Sequence, residues 1–338
     1  MLLAQVKELL KQYTEEDLRL LICEMYKSIP KKIREDKEID EMVTDIHAYK
    51  RIGKVNRDQN KKRDILELKP QINQFIDFAY KQYYFAPNNY VHKKERPKWR
   101  FHVKAFIKDL ESISIEGSEG REATNLLKRL YEMLSYGCAY YIFNTDNPFQ
   151  SVGIEQTVLL DKVIRRLLGR GIDDECIKTT IELVIKGYTA SDTLSSSLVI
   201  TFVNNLKTTD AKEMAIRQCA LIKKELILTQ ENSSKKASSS ESYWSTEKRN
   251  KLTETVFRIY MSLCENEKAI KYFHANHMER DKEISLYVLL HLLEDYECID
   301  YWIKEYKMAQ EKGIEPRAGL QREYNYILEN KKFPDYWM

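Results

Sequence analysis

The chain has 338 residues, 43% of them hydrophobic and 32% charged, with a formal net charge of +3. This composition excludes a disordered chain, and the near-balanced charge excludes a molecule-wide field for nucleic acid or membrane. Only 10 Gly and 7 Pro occur; sheets need such residues at every reversal, so their scarcity, beside abundant Leu, Ile, Lys, Glu and Arg, predicts an all-α protein.

In chain order, Leu3, Val6, Leu9 and Leu10 share one helical face. Thr14 opens a second helix with Asp17 three residues on, a capping-box spacing, and Leu18, Leu21, Ile22, Met25 and Tyr26 follow until Pro30 ends the run. Ile39, Met42, Val43 and Ile46 predict a third helix, after which residues 48–64 turn polar and basic. Ile72, Phe75, Ile76, Ala79, Tyr80 and Tyr83 predict an amphipathic helix; Pro97 fits the first position of the next, with Phe101, Phe106, Ile107 and Leu110 on its buried face. Ser112 to Gly120 reads as a loop. Helix starts near 155, 173, 192 and 210 follow, with Gly171 closing one helix, Asp173 capping the next, and Thr209 or Asp210 capping the last. That spacing, about 18 residues per helix, is the rhythm of helical-hairpin repeats. A Ser-rich stretch at 231–245 reads as a flexible linker. It divides an N-terminal helical domain (1–230) from a C-terminal helical-hairpin domain (246–338).

Val256, Tyr260, Ala269 and Phe273 fall where tetratricopeptide repeats place a Leu, a Tyr, an Ala and a Phe. Over this one hairpin the C-terminal part resembles a degenerate tetratricopeptide- or HEAT-type array, without the repeat's Trp, Gly and Pro. The resemblance implies stacked antiparallel hairpins with grooves for peptides or proteins. Leu10, the cap Thr14 to Leu18 and the Met25-Tyr26 ending loosely resemble an uncharacterised bacterial helical domain of unknown function.

Chemistry-bearing motifs are sparse. His274 and His277 form an HxxH pair, but no third metal ligand is identifiable, so no metal or cofactor is expected. Gly169-Arg170-Gly171 follows a helix and reads as a helix–helix turn; no GxxxxGK[ST] or GxSxG occurs. Paired carboxylates at 15–17 and 173–175 sit at helix N-termini, where the dipole explains them. These readings point away from an enzyme. The six cysteines form no CxxC and sit in apolar, helix-periodic surroundings, as in a reduced, cytoplasmic protein. No apolar run is long enough to span a bilayer, and charge arrives at Lys7, too soon for a signal peptide.

Charge segregation stands out. Residues 50–108 carry 16 Lys and Arg against 5 Asp and Glu, a local +11 in a chain of +3. At 92–104 the cations interleave with Trp99 and Phe101. The candidate binding residues are therefore Lys93, Lys94, Arg96, Lys98, Arg100 and His102, with Trp99 as an aromatic anchor. The same pattern fits an ordinary solvated face, or one docked on the acidic remainder of the chain; as a binding patch, its expected ligand is an acidic protein or peptide. The alternative is nucleic acid, with cations on phosphates and aromatics on bases, a use to which HEAT-like DNA glycosylases put a similar fold. Their catalytic Asp-and-Trp arrangement has no recognisable counterpart here.

Overall fold

The computed structural model describes residues 3–36, 39–46, 64–86, 88, 90–233 and 239–335. The chain forms two compact units, Met1–Lys62 and Arg63–Met338. Among the described residues every regular element is helical and none is a strand, so the all-α expectation holds. No helix among them is long and apolar enough to cross a membrane.

The first unit holds α1 (Leu3–Leu10), α2 (Glu15–Ser28), α3 (Lys31–Asp36) and α4 (Ile39–Thr44). Thr14 caps α2 as its spacing predicts: the Asp17 N–H donates to Thr14 Oγ1 at 3.2 Å, and the Thr14 N–H to Asp17 Oδ2 at 3.2 Å. α3 is not foreshadowed by any apolar spacing. Pro30, which cannot continue α2, opens α3 by accepting the Ile33 N–H at 2.9 Å. None of the described side chains of this unit is buried.

The second unit begins with α5 (Ile65–Tyr80), a short 3₁₀ turn (Arg96–Lys98), α6 (Trp99–Ser112), α7 (Gly117–Gly137) and α8 (Pro148–Val152). It continues with α9 (Gln156–Leu168), α10 (Asp174–Lys186), α11 (Ser195–Asn205), α12 (Thr209–Ser233) and α13 (Ser239–Ser262). Then come α14 (Asn266–Asn276), α15 (Lys282–Glu294), α16 (Ile299–Glu311) and α17 (Ala318–Asn330). The starts of α9 to α12 follow the expected rhythm. Each helix there packs on its next-but-one neighbour, α9 on α11 and α10 on α12, while α13 pairs with α14 and α15 with α16. Asp173 caps α10, accepting the Cys176 N–H at 2.7 Å.

Two boundaries differ from expectation. Gly117 to Gly120 is the first turn of α7, not loop. A Cβ on Gly120 would lie 2.2 Å from the Ile115 carbonyl oxygen, so glycine here lets the incoming chain lie against the helix. The cap before α12 is Thr208, whose hydroxyl accepts the Ala211 N–H at 3.2 Å, rather than Thr209 or Asp210.

The Ser-rich stretch lies inside the second unit: α12 runs into it as far as Ser233 and α13 starts within it at Ser239, with 234–238 outside the described residues. On α13 the helical period turns Leu252, Val256 and Ile259 into a first core with α5 to α12, and Phe257 and Met261 into a second with α14 to α17. One helix thus walls two cores.

Candidate functional site

The basic segment is sorted by the turn of α6. Trp99, Val103, Phe106, Ile107 and Leu110 recur every three to four residues and are buried, while Arg100, Phe101, His102, Lys104 and Lys108 face outward. Trp99, expected as an anchor, is 5% exposed and stacks on Phe143 with ring centroids 3.8 Å apart. It is core. Arg96 is buried too, its Nε donating to the Val91 carbonyl at 2.8 Å, which ties the 3₁₀ turn to the preceding chain. Phe101, placed by the sequence reading on the buried face, is 60% exposed with the Arg100 guanidinium 5.0 Å above its ring.

Lys93, Lys94, Lys98, Arg100 and His102 remain on the surface. Lys98 is engaged with Glu95 at 2.8 Å, and this bond holds the Glu95 carboxyl below the usual range. Among the described residues Lys93, Lys94 and Arg100 have no carboxylate within ion-pair distance. Lys104 and Lys108, within the basic stretch but not among the candidate binding residues, extend the patch. Arg100, Lys104 and Lys108 stand at i, i+4 and i+8, a stripe rising about 6 Å per step. The spacing itself was the signal. Beyond Lys93, Tyr90 is 65% exposed and stacks on Tyr83 at 4.0 Å. Lys50, Arg51, Lys54, Arg57, Lys61, Lys62 and Arg63, which supply much of the local charge, lie outside the described residues.

His274 and His277 diverge. His274 Nε2 meets Glu305 Oε2 of α16 at 2.7 Å, across an open groove of about 610 Å³ lined also by Glu267, Lys271, Tyr301 and Lys304. His277 turns the other way, with Nδ1 3.0 Å from Ser285 Oγ and its ring stacked on Phe273 at 4.4 Å. No group of three or more potential metal ligands converges among the described residues. Burial pushes the Cys138 and Cys219 thiols up to about 12, which keeps them protonated and poor nucleophiles. What the surface offers chemically is charge and exposed rings along one helix. No protein-family model matches the chain, and no curated protein matches it.

Proposed function

We propose that this chain is a non-enzymatic binding or scaffold protein of tetratricopeptide- or HEAT-like type, acting in the cytoplasm, that holds an acidic segment of a partner protein. The observation that carries this reading is the stripe Arg100, Lys104 and Lys108, continued by Lys93, Lys94 and Lys98. Carboxylates on an acidic helix, also spaced i to i+4, fit such a stripe step for step. Six free thiols, Cys23 and Cys264 among them exposed, support a reducing compartment. The second reading, single-stranded nucleic acid, is favoured by the exposed rings of Phe101 and Tyr90.

Fluorescence anisotropy separates the two, using a labelled poly-glutamate peptide and a labelled single-stranded oligonucleotide. The triple variant Lys93→Glu, Lys94→Glu, Arg100→Glu should weaken peptide binding about tenfold or more, ~1.4 kcal/mol. Peptide binding that is absent or unmoved by the reversal refutes the proposal. Oligonucleotide binding that alone responds, with a steep salt dependence, transfers the ridge to nucleic acid.

A further inference from the structure

Three basic side chains lie where α12, α13 and the end of α14 meet, none of them part of the basic stripe on α6. Lys223 of α12 reaches the C-terminus of α14, its Nζ donating to the Asn276 carbonyl at 3.2 Å and to Asn276 Oδ1 at 2.9 Å. The same Nζ lies 3.5 Å from Thr253 Oγ1 on α13. Thr253 stands one turn beyond Arg249 on α13 and donates to its backbone carbonyl at 2.9 Å, so Lys223 and Arg249 flank the same threonine. His277, the residue that ends α14, closes the third side. All three are half-buried.

The charges here do not balance. The oxygens around Lys223 are a carbonyl, an amide and a hydroxyl, all neutral. Among the described residues neither Lys223 nor Arg249 has a carboxylate within ion-pair distance, and the buried Arg249 Nε has no hydrogen-bond partner. Glu279 faces His277 and brings a negative charge to that side, its carboxylate also accepting the backbone N–H of Arg280 at 2.8 Å. The crowding leaves its mark: burial, then Arg249, push the Lys223 ammonium down to about 8, and burial, with a contribution from Lys223, holds His277 below its ordinary value. An unpaired guanidinium with a buried donor, beside a second cation and an imidazole, is chemistry that recognises an oxyanion.

We propose that this junction binds a phosphoryl group, with Arg249 as its main hydrogen-bond donor, Lys223 as the second cation and His277 bounding the site. Free phosphate and a phosphorylated side chain share this chemistry, so both are probes. Isothermal titration of the full chain with inorganic phosphate, O-phosphoserine and acetate, at constant ionic strength, tests it. Saturable binding of phosphate or O-phosphoserine is expected, lost in Arg249→Gln and weakened about tenfold in Arg249→Lys, which keeps the charge but not the fork. Tighter binding of O-phosphoserine than of phosphate assigns the site to a modified side chain; the reverse assigns it to the free ion. No binding to the wild type, acetate binding equal to phosphate, or an undiminished response in Arg249→Gln overturns the proposal. Should Arg249→Gln fail to fold, the Arg249 Nε–H resonance of the wild type decides: phosphate must shift it.

Discussion

The two cores that share α13 are built to different standards. In the first, Gln156 is 1% exposed and fully used: Nε2 donates to the Tyr188 carbonyl at 2.9 Å and lies 3.3 Å from the Tyr131 hydroxyl, while Oε1 accepts the Ala190 N–H at 2.8 Å. Buried Arg166 places Nε on Thr124 and Nη1 on the Ile113 carbonyl, leaving Nη2 without a partner. In the second, Trp302, Tyr306 and Tyr324 form a stack with centroids 5.4 and 4.3 Å apart, yet Trp302 Nε1, Tyr306 Oη and Glu323 Oε1 are buried without hydrogen-bond partners among the described residues. The first core gains from Gln156 and most of Arg166, whereas the second holds these three groups by ring and aliphatic packing despite their unmet hydrogen bonds.

Gln156→Ala offers the sharpest test of this contrast. It strands the Ala190 N–H inside the first core and leaves the Tyr188 carbonyl with the Ser135 hydroxyl alone, at 2.8 Å, so urea unfolding should show a loss of about 2 kcal/mol. A loss below about 0.5 kcal/mol would erase the difference between the cores.

Glu323 gives the second test. Burial first, and then the Glu294 carboxylate, raise its carboxyl to about 7. A raised acid keeps its proton in the folded chain after the unfolded chain has released it. Its contribution is therefore full below about 4.5 and falls away as pH rises to about 7, levelling off above that. Glu323→Gln should flatten this slope and be the more stable form at pH 8, by roughly 1–2 kcal/mol, with water reaching part of the site. Parallel pH profiles of wild type and variant would refute the assignment.

The smallest test is a matched pair. Tyr131→Phe removes a hydroxyl that Gln156 uses and should cost about 0.5–1 kcal/mol. Tyr306→Phe removes one without a partner and should be neutral or stabilising by up to about 1 kcal/mol. Equal effects in thermal unfolding would mean that the two hydroxyls are equally well satisfied.

Local signals were legible and contacts across the fold were not. The period of α9 to α12 and the caps at Thr14 and Asp173 depend on residues a few positions apart, and the sequence displays them. Trp99 shows the limit: beside five cations it reads as an exposed anchor, until Phe143, 44 positions on, covers its face. The divergence of His274 and His277 likewise depends on Glu305 and Phe273, which the HxxH spacing does not encode. Gly120 misleads for a related reason, since a helix-breaking residue is tolerated where another segment must approach closely. Arg100, Lys104 and Lys108 could have been read directly, had the same period that located the core been applied to the cations.

The double role of α13 bears on how the molecule is made. Synthesis proceeds from the N-terminus at about 5–20 residues per second, and domains complete in that order. Here the first core waits for Leu252, Val256 and Ile259, on a helix that lies beyond the Ser-rich stretch and packs on α11 and α12. Until those residues leave the ribosome, the nascent chain carries an open apolar face. Once they do, α13 closes one core and offers its other side as the foundation of the next.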